Sequence, residues 1–216
     1  MFYILHGEDE FSRSEMVARL KARMGDATSL ALNTTVLNGK EVTLPELMDT
    51  CNALPFLGER RLVIVEGLLS WLEGTSSQEE DGQKEAGWRK RYIAGLLDYL
   101  PHLPPTTRLV FREDKSLAGN NPVLALARKD SKAYIKEFPL PRESALPRWI
   151  IQRVRAKGGE IEGAAAQELA NFVGANLRLL DSELEKLCTY VENSRPITRQ
   201  DVWTLVSYAR QRNVFA

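Results

Sequence analysis

The first fourteen residues run MFYILH (1–6) and then GEDEFSRS (7–14). The apolar run predicts a short strand over Phe2–Leu5. Apolar residues after the turn recur at helical spacing and predict a helix that includes Met16, Val17, Leu20 and Met24. The segment Gly7–Ser14 therefore joins a strand to a helix. Because this is the unit from which parallel α/β folds are built, these residues already indicate the fold class.

The turn has the position and length of a phosphate-binding P-loop, G-x-x-x-x-G-K-[ST], with Gly7 and Ser14 in register. Ser12 replaces the second glycine and Arg13 replaces the lysine. A P-loop directs backbone N–H groups and a helix N-terminus at an anion. The three acidic residues at 8–10 would repel a triphosphate, and they are well placed to cap the helix themselves. The sequence thus predicts a degenerate P-loop, a nucleotide-binding architecture without the nucleotide chemistry.

Strands and helices alternate up to about residue 140, which predicts a parallel sheet flanked by helices. Arg61–Glu66 (RLVIVE) is a continuous apolar run typical of a buried parallel strand. The polar, glycine-rich residues 74–87 are expected to form a surface loop. Further strands are predicted at Thr34–Leu37, Arg108–Phe111 and Ala133–Phe138, and helices at Tyr92–Leu100, at Pro122–Lys129 and after the capping box that begins at Thr43.

Beyond the prolines at 139 and 141 the pattern is entirely helical, which predicts a second domain over residues 141–216, a small helical bundle. Its clearest helix has a sustained apolar stripe, Leu177, Leu180, Leu184, Leu187 and Val191. Trp149 and Trp203 fall on apolar stripes and are predicted to be core residues. The last residues, including Val214 and Phe215, contain no helix stop, so we expect the native chain to continue.

Composition excludes several functions. The 29 basic and 29 acidic residues balance, which leaves no electrostatic footprint for autonomous DNA binding. The apolar runs are too short to span a membrane. Cys51 and Cys188 lie far apart and are expected to be free thiols in the cytoplasm. His6 and His102 are expected to be partly exposed, and without metal-ligand spacing we expect no metal or cofactor.

Several motifs together indicate a family. They are YILHGEDEF (3–11), LPFLGERRLV (54–63), TRLVF (107–111), WI (149–150), ANL (175–177) and ELEKL (183–187). In order and spacing they resemble the delta subunit of the bacterial DNA polymerase III clamp loader over essentially the whole chain. The resemblance implies an AAA+-like α/β domain over 1–140 that does not hydrolyse ATP, a helical lid domain over 141–216, and a C-terminal collar domain that this chain lacks.

The family binds the ring-shaped beta sliding clamp with a hydrophobic wedge, and the matching residues here are Leu54, Pro55, Phe56 and Leu57. The resemblance implies that Phe56 is the main anchor. Pro55 stands where the family often has another large apolar residue. Because Pro55 and Gly58 bracket a turn, and turns lie at the surface, the residues themselves are compatible with this role. The resemblance also implies contacts with the other clamp-loader subunits (gamma/tau and delta prime), and with DNA mainly within the full complex.

Other interpretations remain open from the sequence. Phe56 could fold back onto the sheet as an ordinary core residue. The chain could be a divergent P-loop ATPase that uses Arg13, Ser14 and Glu66, or a nucleic-acid-binding module that uses the aromatic and basic residues WRKRY (88–92). Arg178 occupies the place of the nucleotide-sensing arginine in the AAA+ lid, and we expect it to form a salt bridge between domains instead.

Overall fold

The protein is seen here in a computed structural model that describes residues 1–24, 27–56, 58–74 and 81–214, with the backbone alone described at 27–28, 81–86 and 207–214. Residues 1–139 and 140–216 form two compact units. The first contains a five-stranded parallel sheet in the order β2-β3-β4-β1-β5. Its strands are β1 (Phe2–His6), β2 (Thr34–Asn38), β3 (Arg61–Glu66), β4 (Thr107–Arg112) and β5 (Ala133–Glu137).

The predicted parallel sheet with flanking helices is confirmed, and the helices lie on both faces. Their bounds are α1 (Glu10–Ala22), α2 (Ala27–Leu32), α3 (Leu44–Asn52), α4 (Leu68–Glu73), α5 (Asp81–Tyr99) and α6 (Pro122–Ala127). On one face, Phe2, Val63 and Phe111 pack against α3, α4, α5 and α6. On the other face, Leu5 and Ile64 pack against α1. Strand residues alternate between the two cores because successive side chains point to opposite faces.

Local sequence rules set the helix starts. Asp9 caps α1, and its carboxylate accepts a hydrogen bond from the Ser12 N–H at 2.9 Å. Thr43 and Glu46 form the predicted reciprocal capping box at α3, with Pro45 in the first turn. Each arrangement satisfies N–H groups that have no partner inside the helix.

Two local predictions are wrong. The loop expected over residues 74–87 does not extend to residue 87, because α5 begins at Asp81. Gln83-Lys84-Glu85-Ala86 are good helix formers, and a helix that is already anchored by buried Tyr92 and Leu96 extends readily into such residues. The short helices α2 and α4 were not expected at all, since six residues are too few to show a helical period.

The second unit is helical, as expected, with α7 (Leu146–Ala156), α8 (Gly163–Val173), α9 (Leu177–Tyr190) and α10 (Arg199–Val214). The predicted stripe of α9 is buried from Leu177 to Val191. Trp149 is half-buried. Trp203 is not a core residue: 49% of it is exposed, and its indole N–H donates to Glu168 at 3.0 Å. That bond keeps the polar edge of the ring at the surface.

None of the helices in the described part of the chain combines the length and the apolar character needed to cross a bilayer. Cys51 and Cys188 are buried free thiols, as predicted. Burial raises the pKa of the Cys51 thiol to about 12, which leaves it unreactive as a nucleophile.

Candidate functional site

The P-loop-like turn lies at the carboxyl edge of the sheet, and several of its backbone N–H groups already donate to protein oxygens. The N–H of Gly7 donates to the Lys115 carbonyl at 3.1 Å, and that of Asp9 donates to the Phe138 carbonyl at 2.9 Å. The Ser12 N–H donates to the Asp9 carboxylate. A phosphate cradle needs these N–H groups free to point at the ligand. In this turn they hold the protein's own groups instead.

The side chains that replace P-loop chemistry are buried or bonded to neighbouring protein groups. Arg13 is buried, and burial lowers its pKa; its Nε has no hydrogen-bond partner among the described residues. Ser14 donates its hydroxyl proton to Glu10 at 2.6 Å. Glu66, the one candidate for a metal-binding carboxylate, pairs with Arg112 at 2.8 Å across adjacent strands. The described residues contain no group of three or more His, Cys, Asp or Glu side chains that could hold a metal ion.

His6, which ends β1, is buried rather than partly exposed as we expected. Its Nδ1 accepts the Leu117 N–H at 3.3 Å, and burial lowers the pKa of the imidazole. The loop after β4 covers this histidine, and that contact spans 111 residues of sequence. His6 therefore helps to close the carboxyl edge of the sheet. His102 is exposed, and its ring nitrogen lies 2.9 Å from the Asp98 carbonyl.

Glu113 is a buried acid that the sequence analysis did not single out. It follows β4, and its two carboxylate oxygens accept from the N–H groups of Leu69 (3.0 Å) and Ser70 (2.9 Å) and from the Ser70 hydroxyl (2.7 Å). Burial raises the pKa of this carboxyl, and the three donors oppose that shift. Glu113 thus caps α4 from the position directly after β4.

The predicted wedge lies at the opposite, amino-terminal edge of the sheet, in the turn between α3 and β3. Leu54 is 82% exposed and Phe56 is 58% exposed, while Pro55 between them is half-buried. Phe56 is therefore not a core residue. Leu57 lies outside the described residues. The structure thus brings Leu54 and Phe56 together at the surface and keeps them away from Gly7, Ser12, Arg13 and Ser14.

The ends of this turn are tied to the buried core. At the end of α3, the Cys51 carbonyl accepts the Thr107 hydroxyl at 2.6 Å, and the Asn52 side chain accepts the Tyr99 hydroxyl at 2.7 Å. After the turn, the Arg61 N–H donates to the Thr106 carbonyl at 3.0 Å. The exposed apolar residues are therefore displayed from a fixed base.

Asn33, between α2 and β2, holds the middle of the turn, and sequence reasoning missed it. Its side chain is buried, with the residue 2% exposed. Its Oδ1 accepts the Phe56 N–H at 2.6 Å, and its Nδ2 donates to the Phe56 carbonyl at 2.8 Å. Nothing in the sequence pairs positions 33 and 56, because the partners are 23 residues apart and one of them is backbone.

In the cluster at 88–92, Trp88, Arg89 and Tyr92 are packed, while Lys90 and Arg91 are exposed. Trp88 contacts the rings of Trp71 and Tyr92, with centroids 5.0 and 5.3 Å apart, and Tyr92 is buried. Arg89 lies over the Trp71 ring and donates to the Gly74 carbonyl. Rings engaged in this way are poorly placed to stack on bases. Arg178 is an exposed residue in the first turn of α9.

A strand order of β2-β3-β4-β1-β5, with a P-loop-like turn after β1, defines an AAA+-like module. Sequence comparison gives the family. The profile described as DNA polymerase III, delta subunit, matches residues 3–138, and a profile described as a middle domain matches residues 143–204. The chain belongs to the DNA polymerase III delta subunit family, which confirms the resemblance stated from the motifs.

Individual relatives agree with this assignment. The chain is 25% identical over 213 residues to the DNA polymerase III subunit delta of Bacillus subtilis, covering 99% of this chain and 58% of the relative. It is 21% identical over 220 residues to a probable DNA polymerase III subunit delta of Aquifex aeolicus, covering 99% of this chain and 57% of the relative. The solved structure of the B. subtilis DNA clamp loader delta protein has the same fold, with a TM-score of 0.77 at 23% identity over 95% of this chain and 57% of that one. The chain thus spans a little over half the length of these relatives.

Proposed function

We propose that this chain binds the beta sliding clamp through the turn that displays Leu54 and Phe56, and that it acts as the clamp-opening subunit of a clamp loader. The observation that carries the proposal is the exposure of two large apolar side chains on a turn with a fixed backbone. Family membership supports the clamp as the partner, because the chain belongs to the DNA polymerase III delta subunit family. The remaining clamp-loader subunits, gamma/tau and delta prime, are the further partners that this role requires.

The physical case rests on what such residues gain on binding. Leu54 and Phe56 leave apolar area in contact with water, and burying that area in a partner's pocket is favourable by roughly 25 cal/mol per Å². An aromatic ring held at the tip of a turn resembles the hot-spot residues that dominate many interfaces. We therefore assign Phe56 as the principal anchor and Leu54 as its neighbour.

Ring opening follows from differential affinity. A closed ring and a ring open at one interface are two conformations of the clamp, and a binding partner shifts their populations only if it binds one of them more tightly. In our proposal the wedge fits the clamp better when the neighbouring interface is open. The chain then works by binding alone and needs no catalytic residue of its own.

Replacing Phe56 with alanine is expected to weaken clamp binding about 30-fold or more, since truncation of an aromatic anchor removes most of its buried contact area. The measurement is the dissociation constant of the purified 216-residue chain for the purified clamp by biolayer interferometry. Because Phe56 is exposed, the melting temperature should change little.

The matched control is Leu179→Ala, which removes a comparably exposed apolar side chain from α9 in the other unit. It should bind the clamp as the parent does. Clamp binding by Phe56→Ala at parental affinity would refute the proposal, and equal losses in both variants would show that the effect is not specific to the turn.

We also propose that the chain does not bind ATP, so that isothermal titration with Mg-ATP should give no measurable binding heat. The support is that the N–H groups of Gly7, Asp9 and Ser12 donate to protein oxygens and that Glu66 pairs with Arg112. A functional P-loop ATPase titrated in the same buffer is the positive control. Saturable heat that disappears in Arg13→Ala would instead favour the divergent ATPase.

A further inference from the structure

The amide of Asn33 has three hydrogen bonds, and two of them go to one exposed residue. Besides its two bonds to the Phe56 backbone, Nδ2 donates to the Ser29 carbonyl at 2.8 Å. A buried amide is costly unless its polar atoms are bonded. Here the bonding satisfies both the N–H and the C=O of Phe56, the residue whose ring points outward. A single polar side chain therefore bonds both backbone groups of an exposed residue.

Asn33 is itself held firmly from both sides along its backbone. Its N–H donates to the Ser29 carbonyl at 3.1 Å, and its C=O accepts the Leu62 N–H at 2.8 Å. The first bond continues the end of α2, and the second begins the β2–β3 ladder. The Asn33 side chain therefore extends from the start of the edge strand β2. Its hydrogen bonds attach the Phe56 backbone to that strand.

The neighbouring glycine leaves space for this contact. A Cβ added to Gly58 would lie 3.2 Å from Asn33 Nδ2, closer than most real Cβ contacts. The amide thus occupies the inside of the turn, between the backbone at Phe56 and the backbone at Gly58. Its two bonds engage both the N–H and the C=O of Phe56, although they come from a side chain.

We infer that Asn33 is a positioning residue for clamp binding, which fixes the Phe56 backbone so that the ring is presented before the partner arrives. The inference rests on the proposed function of the turn. Binding by a loop carries an entropy cost whenever the loop must be ordered on association, and ordering it beforehand removes that cost. Asn33 does not contact the clamp; it acts through Phe56.

The first measurement needs no substitution. In the full 216-residue chain, the Phe56 amide proton should exchange with solvent at least about tenfold more slowly than the rate for an unstructured peptide, although the residue is exposed, because its N–H is bonded to a buried acceptor. In Asn33→Ala this protection should be lost while amides of β3 remain protected. Exchange of the parent's Phe56 amide at the unstructured rate would overturn the inference.

The second measurement is clamp affinity. Asn33→Ala should weaken binding about tenfold, through the loss of two hydrogen bonds that order the turn. Asn33→Asp keeps the side-chain volume and the acceptor oxygen but removes both N–H donors, so it should also weaken clamp binding. Because this variant leaves no cavity, its loss of affinity would show that the missing donors, and not lost volume, are the cause. The matched control is Asn121→Ala: Asn121 is a buried asparagine that caps α6, far from the turn in sequence, and its loss should lower the melting temperature without changing clamp affinity.

A double variant separates positioning from general stability. If Asn33 acts through the ring, Asn33→Ala should weaken binding much less in a Phe56→Ala background than in the parent. Parental affinity in Asn33→Ala and Asn33→Asp would overturn the inference and leave the proposed function intact. Equal losses of clamp affinity in Asn121→Ala and Asn33→Ala would also overturn the inference and leave the proposed function intact. Parental affinity in Phe56→Ala would instead overturn the proposed function, and this inference with it.

Discussion

Replacing Gly7 with alanine is expected to destabilise the first unit by about 4 kcal/mol or more, which places the substitution among the most damaging single changes. Gly7 has φ +115°, a conformation that residues with a side chain rarely adopt. An added Cβ would also lie 2.4 Å from the Phe138 carbonyl oxygen. Because that neighbour is backbone just beyond β5, no side chain can rotate away to relieve the contact.

The measurement is urea unfolding of the full chain, followed by circular dichroism. Gly119→Ala is the matched control, since Gly119 lies in the same compact unit as Gly7 and an added Cβ meets nothing within 4 Å. It should stay within about 0.5 kcal/mol of the parent. Equal urea midpoints for Gly7→Ala and the parent would show that the backbone angle and the contact with Phe138 do not require glycine at this position. The glycine of the P-loop-like turn is thus explained by packing, with no phosphate required.

Replacing Glu113 with alanine is expected to cost about 3 kcal/mol, because it leaves the N–H groups of Leu69 and Ser70 without their acceptor. The N–H of Leu69 is in the interior, where water cannot replace the lost oxygen. Glu113→Gln should cost less, since it keeps one acceptor oxygen but turns an amide group toward the second donor. The order of stability should therefore be parent, then glutamine, then alanine.

Asp114→Ala is the control for Glu113, since it removes an exposed carboxylate one residue further along the chain. It should change the free energy of unfolding by no more than about 0.5 kcal/mol. Thermal unfolding of the four proteins at neutral pH measures the series. If Glu113→Ala melts with the parent, the three hydrogen bonds do not stabilise α4.

Much of the fold could be predicted because its patterns are local. RLVIVE at 61–66 has the composition of a buried parallel strand, and Thr43 and Glu46 cap a helix by contacts three residues apart. The helices α2 and α4 escaped prediction because they are too short to show a period. The start of α5 escaped because polar residues were assigned to a loop, although they are good helix formers and an anchored helix extends into them.

The candidate site also has one part that the sequence predicts and one part that it does not. The motif at 54–57 could be found from sequence, because the resemblance and the turn residues both point to it. Whether Phe56 faces solvent or the core could not, since a large apolar residue in a short turn can pack either way. Its exposure depends on how α3, the turn and β3 meet the rest of the sheet.

The sequence by itself determined the strand–turn–helix at 1–14, the parallel sheet, the helical second unit and the family, because each depends on periodicity or on motifs contiguous in the chain. Only the tertiary structure decided that the N–H groups of Gly7 and Asp9 donate to distant carbonyls, that Glu113 caps α4 and that Asn33 holds Phe56. The physical reason is that these are hydrogen bonds between a side chain or carbonyl and a distant backbone group. Backbone groups are the same at every residue, so the identity of such a partner leaves no trace in the sequence.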